Sequence, residues 1–172
     1  MGNRLELTDG VIRLSPLFLE DVDPHLAGED DELVRWLSGG ISTRQSVEDY
    51  IRRCMDQWEA GGSVHAFGVR AGSGELVGTT EVQFDRPYLQ PGAVNISYGL
   101  HPAWRGRGIA TRAVLLAGAH AAAAGAVQAV LRIEPRNTAS IAVARRAGYV
   151  PFRQSEEGDG RQFTWYTKSL SS

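Results

Sequence analysis

The segment from 94 to 133 constrains the fold most. Residues 94–100 read as a strand, and residues 100–111 (LHPAWRGRGIAT) form a turn rich in glycine and arginine. Residues 108–124 then form an Ala-rich helix closed by Gly125, and residues 127–133 a buried-type strand. A helix between two strands is a crossover connection, which makes those two strands parallel. The flanking segments point to antiparallel pairing. Residues 65–70 and 76–84 are strand-like around the turn Ala71-Gly72-Ser73-Gly74, and residues 150–155 and 162–167 bracket Gly158-Asp159-Gly160. Upstream, residues 11–14 are a short strand ended by Ser15-Pro16, residues 17–26 a short helix and residues 29–37 a second one stopped by Gly39-Gly40. A third helix follows Ser42 or Thr43 as cap, with Val47, Tyr50, Ile51, Cys54, Met55 and Trp58 at intervals of three and four. The pattern predicts one mixed α/β domain over residues 1–172, without repeats or a linker.

Length and composition agree with that domain. The chain has 172 residues, 42% hydrophobic and 22% charged, which excludes disorder, collagen and coiled coil. Cys54 is the only cysteine, so neither an internal disulfide nor a thiolate cluster is available. His25, His65 and His120 lack metal-ligand spacing and His101, before Pro102, reads as a turn residue rather than a base, so no metal is expected. No apolar run reaches the roughly 20 residues of a membrane span. The start, Met1 to Glu6, has no secretory apolar segment, so a cytoplasmic location is expected.

The net charge of −2 conceals an asymmetry. Residues 1–100 carry 8 arginines against 16 carboxylates, and residues 101–153 carry 8 arginines against Glu134 alone. The basic segment contains the glycine turn. Gly106 and Gly108 permit backbone angles closed to other residues. The helix that starts there offers unpaired N–H groups and the positive end of its dipole, which together suit a phosphate. Arg105, Arg107 and Arg112 add charge at the same end, unless they serve only as solvated helix faces. A P-loop would need Gly-Lys followed by Ser or Thr, which is absent. A dinucleotide fingerprint would need a third glycine where Thr111 stands, and a turn directly after the strand. An RNA-binding Arg-Gly tract would be longer and flanked by disorder.

Arg105, Gly108 and Ala110 match the acetyl-CoA signature of the GNAT N-acetyltransferases: Gln or Arg, two residues, Gly, one residue, then Gly or Ala. The resemblance extends through Ile96-Ser97-Tyr98-Gly99-Leu100, through Asn137 and Ser140, and to Gly148-Tyr149. It covers nearly the whole chain and is nearest the branch of ribosomal-protein N-terminal alanine acetyltransferases. It implies a mostly antiparallel sheet of about six or seven strands, with a central splayed parallel pair and helices on both faces. It also implies acetyl-CoA as cosubstrate, with its pyrophosphate on the backbone of Arg105, Gly106, Arg107, Gly108, Ile109, Ala110 and Thr111. The pantetheine arm would run along Tyr98 to Leu100, with the N–H near Leu100 polarising the thioester carbonyl. Asn137 would hydrogen-bond pantetheine or its attacking partner, cap its helix, or do both. Arg105, Arg107 or Arg146 would reach the 3′-phosphate. Homodimerisation is a family expectation.

Two positions depart from the family pattern. Asn95 stands where many relatives carry a general-base Glu and, unable to accept a proton, could only position a water; Ala144 stands where many carry a general-acid Tyr. Glu81 is the substitute base, or else a solvent-facing strand charge. Ser140 is a donor to the leaving sulfur, or a first-turn cap. Deprotonating an aliphatic amine of pKa ~10.4 near neutrality costs about 4 kcal/mol, whereas a peptide α-amine of pKa ~7.8 costs under about 1 kcal/mol. The expected acceptor is therefore a peptide α-amine or a small cationic amine, the latter attracted by the acids Glu29 to Glu32 unless these serve only as a solvated helix N-terminus; neither nucleic acid nor membrane is an expected partner. Two readings compete with an active enzyme: a catalytically silent CoA-binding module and a nucleotide or nucleic-acid binder.

Overall fold

A computed structural model of the chain describes residues 5–170. Eight strands form one sheet in the order β1-β2-β3-β4-β5-β6-β8-β7. They are β1 (Leu7–Thr8), β2 (Arg13–Pro16), β3 (Val64–Arg70), β4 (Leu76–Gln83), β5 (Ala93–Leu100), β6 (Gln128–Ile133), β7 (Val150–Glu156) and β8 (Gln162–Ser169). Every pairing is antiparallel except β5 with β6. The crossover between those two is the Ala-rich helix, as the sequence order predicts. The eighth strand is β1, whose two residues are too few to show an alternation in the sequence.

The helices divide between the two faces. Alternating residues of β3 show the division: Phe67 joins the core cluster built on Val114, Ala117 and Ala121 of α4 (Ile109–Ala123), while Ala66 joins the one built on Val47, Ile51 and Cys54 of α3 (Arg44–Ala60). On the α4 side lies α5 (Thr138–Arg146); on the α3 side lie α1 (Val22–Ala27) and α2 (Asp31–Leu33). Alanine on the buried stripe of α4 lets that helix sit close against the sheet. Thr43 caps α3, accepting the Ser46 N–H at 3.1 Å. The predicted helix over 29–37 is broken in two. After α2 the chain widens into a π turn, Val34–Ser38, stopped by Gly39 in the left-handed region. Leu33 and Leu37 of this segment rest on β5, where a Cβ at Gly99 would come within 2.6 Å of Leu33. Glycine at 99 is what admits them.

One buried ion pair ties α1 to the sheet. Arg70 holds Asp21 through two bonds of 2.8 and 2.9 Å and also donates to Ser15 Oγ at 2.7 Å. Burial pushes the Asp21 carboxyl up, but Arg70 and the Phe18 N–H outweigh it and hold the carboxyl below its usual range. Removing one partner leaves a buried charge unmatched, so Arg70→Ala should cost about 3–5 kcal/mol in urea unfolding. A loss below about 1 kcal/mol would show that the pair is not structural.

A second polar contact lies far from that pair. His65 Nδ1 and His120 Nε2 are 2.8 Å apart beneath the Trp58 and Phe84 rings. Burial and the neighbouring His65 push His120 down to about 4. The unfolded chain takes up its proton near pH 6.5, before the folded chain does, so acid favours unfolding. Stability should therefore fall as pH drops from about 6.5 toward 4, and His120→Gln should reduce that slope in thermal melts without abolishing it, because burial pushes His101 down to about 4 as well. An unchanged slope would exclude His120 as its source.

Candidate active site

The parallel ladder is short. Ala93, Val94 and Asn95 of β5 pair with Gln128, Ala129 and Val130 of β6, and pairing stops there. Beyond this point β5 continues to Leu100 against β4, and β6 to Ile133 against β8. The two strands splay into a fork whose inward backbone groups have no strand partner. A cleft of about 620 Å³ opens along the fork, within the usual range for ligand sites.

The glycine turn closes one end of this cleft. Gly106 and Gly108 have φ of +75° and +76°, and Gly108 is the N-cap of α4. The first helical hydrogen bond within α4 runs from Arg112 N–H to Gly108 C=O at 3.3 Å, so the amides of Ile109, Ala110 and Thr111 precede the bonded part of the helix. Thr111 Oγ1 is buried beside the same cleft without a partner among the described residues. Free amides, a dipole terminus and an orphaned hydroxyl fit a pyrophosphate, and the fork edge fits an extended amide-bearing arm. The residues present therefore suit acetyl-CoA.

Most of the expected site residues meet here. Asn95, Tyr98, Leu100, Arg105, Gly106, Gly108, Ile109, Ala110, Thr111, Asn137, Ser140 and Arg146 all line the cleft. Asn137 caps α5, its Oδ1 accepting the Ser140 N–H at 3.2 Å, which leaves its NH2 for a ligand. Ser140 Oγ lies 2.6 Å from the Tyr98 hydroxyl. That pair shares one proton between its oxygens and keeps a second hydroxyl proton free to point elsewhere. Desolvation raises the Tyr98 pKa. Ala144 is fully buried in the core.

Three expected residues are placed differently. Arg107 is outside the cleft wall, its guanidinium 4.9 Å over the Trp104 ring. Arg105 gives its guanidinium to Asp30 through bonds of 2.6 and 2.8 Å and lies 2.8 Å from Glu32. Arg105 in turn lowers the Asp30 carboxyl to about 2. Glu29 accepts the Ser42 N–H, so three of the four acids from Glu29 to Glu32 are committed within the chain. Arg146 lines the cleft and forms no ion pair among the described residues. Glu81 does not line the cleft. Its carboxylate accepts the Tyr50 hydroxyl at 2.5 Å and the Gln83 NH2 at 2.9 Å.

Sequence reasoning passed over Tyr50, read only as helix stripe, and Gln83, whose spacing of two from Glu81 already placed both on one face. No cluster of three or more metal-ligating side chains occurs among the described residues. Nor is any helix there long and apolar enough to cross a membrane.

Comparison with known proteins agrees with this geometry. No curated protein matches the chain. Solved structures do. Mycobacterium smegmatis RimJ, in complex with CoA-disulfide, superposes with a TM-score of 0.81 at 20% identity, over 97% of this chain and 86% of that one. The RimL ribosomal L7/L12 alpha-N-protein acetyltransferase with coenzyme A gives 0.81 at 17% identity, over 96% and 98%. The microcin C7 self-immunity acetyltransferase MccE, with acetyl-CoA and AMP, gives 0.79 at 16% identity, over 94% and 93%. At these identities the likeness speaks for the fold. The family model of the acetyltransferase (GNAT) domain matches residues 12–150, most of the chain, and the protein belongs to the GNAT acetyltransferase family.

Proposed function

We propose that the chain transfers acetyl from acetyl-CoA to a primary amine by direct attack in a ternary complex. The observation that carries this is the convergence of the splayed fork and the free N-terminal amides of α4 on one cleft. The cosubstrate supplies an activated acetyl thioester. The amides of Ile109 to Thr111 hold its pyrophosphate, and Arg146 is the guanidinium available to a further phosphate. The N–H near Leu100 polarises the thioester carbonyl. The Tyr98–Ser140 hydroxyl pair keeps a proton for the leaving sulfur, the task that Ala144 cannot perform. A cytoplasmic location and a homodimer accompany this proposal, with neither nucleic acid nor membrane as partner.

The acceptor follows from what the cleft lacks. Asn95 replaces the usual base and cannot take a proton, and Glu81 lies behind it with both oxygens engaged. His101 is buried and pushed down to about 4 by desolvation, so it is neutral and weakly basic. A site without a strong base favours an amine that is already largely neutral, and a peptide or protein α-amine is that acceptor. RimL, an alpha-N-protein acetyltransferase, shares the fold. The alternative, a CoA-binding module without activity, is favoured by the same missing acid and base.

A thiol-release assay over an amine panel decides between them. Alanyl peptides should exceed lysyl ε-amines by at least about tenfold in kcat/KM, with kcat/KM levelling off above a pKa near 8. A limb that keeps rising to pH 9 or above would overturn the α-amine assignment. Binding of acetyl-CoA without turnover of any amine would establish the silent module.

A further inference from the structure

One polar chain in this protein ends on an atom that bonds nothing among the described residues. It begins at Glu81, passes through Gln83 and stops at Asn95. A carboxylate can only accept, so Gln83 must turn its NH2 toward Glu81, at 2.9 Å. The Arg86 Nε–H can only donate, so Gln83 must turn its Oε1 toward Arg86, at 3.2 Å. The two constraints are independent and give the same amide orientation. Gln83 Oε1 then also accepts from Asn95 Nδ2 at 3.2 Å. Asn95 is left with Oδ1 facing away from Gln83.

That oxygen has no partner among the described residues, and Asn95 is only 7% exposed. A buried acceptor without a donor carries a desolvation cost, which a fold retains where something else repays it. Its position suggests what does. Asn95 is the last rung of the parallel ladder, at the crotch of the fork, and it lines the cleft. Through the register Gln83↔Asn95 and Glu81↔Ser97 it lies on the α3 side of the sheet. Tyr98, of opposite parity in β5, packs with the α4 side, where the phosphate seat lies. Asn95 therefore faces the side left for the acceptor.

We propose that Asn95 Oδ1 accepts an N–H of the incoming amine, and that Gln83, held from both ends by Glu81 and Arg86, is the positioning residue that keeps Oδ1 turned toward it. The bond orients the nitrogen lone pair toward the thioester without removing a proton. The Tyr50 hydroxyl on the other oxygen of Glu81 anchors the far end of the chain. This assignment rests on the acetyltransferase function proposed above.

Steady-state kinetics with the best amine of the panel, at saturating acetyl-CoA, tests it. Asn95→Ala should lower kcat/KM for the amine by about tenfold, with acetyl-CoA affinity within about twofold of wild type. Gln83→Leu should lower it by about threefold or more, yet by less than about twofold when Asn95 is already alanine. Such non-additivity is what a purely structural Gln83 would not produce. Wild-type side-chain NOEs give a measurement that needs no variant to fold: the Asn95 NH2 protons should contact Gln83 rather than bound CoA. Additive losses, an unaffected Asn95→Ala enzyme, or Asn95 NH2 protons turned to the cofactor would each overturn the assignment while leaving the enzyme an acetyltransferase. A wild-type chain that binds acetyl-CoA and acetylates no amine would overturn the enzymatic function itself.

Discussion

Three rungs of parallel ladder hold β5 to β6, and beyond Asn95 and Val130 the strands part. The fork stays rigid because each arm keeps its outer neighbour. β4 pairs with β5 up to Leu100, and β8 pairs with all six residues of β6. Strand backbone left unpaired inside a protein is costly, so a fork of this kind calls for something to fill it. Everything else in the site is arranged around that gap. The α4 terminus closes one end, the π turn after α2 leans over β5 at Gly99, and Asn95 marks the crotch. An extended, amide-bearing molecule with a phosphate at its end fits both the open ladder and the helix terminus.

The charge asymmetry of the chain acquires a structural meaning here. The basic segment and the acidic half meet within the molecule. Arg105 is clasped by Asp30 and Glu32, and Arg112 by Asp9 at 2.8 Å. The first contact fastens the glycine turn to the start of α2, the second fastens α4 to the loop after β1, and together they withdraw both arginines from the pool available to a ligand. What the cleft offers an anion is therefore mainly backbone dipole and Arg146. Such a seat suits a phosphate ester held by geometry rather than by bulk charge.

Much of this was legible in the sequence, and for identifiable reasons. The crossover, the glycine turn and the cap at Asn137 are local patterns, and each appears within a residue or two of its expected bounds. Asn95, Ser140 and Arg146 line the cleft. What escaped depends on distant partners. Arg105 looked free because its partner Asp30 lies 75 residues away, and Glu81 read as a base or a solvent-facing charge because its partner Tyr50 lies on a distant helix, α3. The π turn at Val34–Ser38 has the spacing of an ordinary helix, and only its packing on Gly99 distinguishes it.

Isothermal titration with acetyl-CoA tests most directly whether the fork and the helix terminus form one cosubstrate seat. Wild type should bind one equivalent, and Gly108→Ala should weaken binding about tenfold or more, since the left-handed turn at φ +76° costs a side chain about 1–2 kcal/mol and moves the amides off the phosphate. Gly125→Ala, at another left-handed glycine outside the cleft, controls for strain alone and should leave affinity unchanged. Equal affinity in all three proteins, or no binding to wild type, would contradict the seat described.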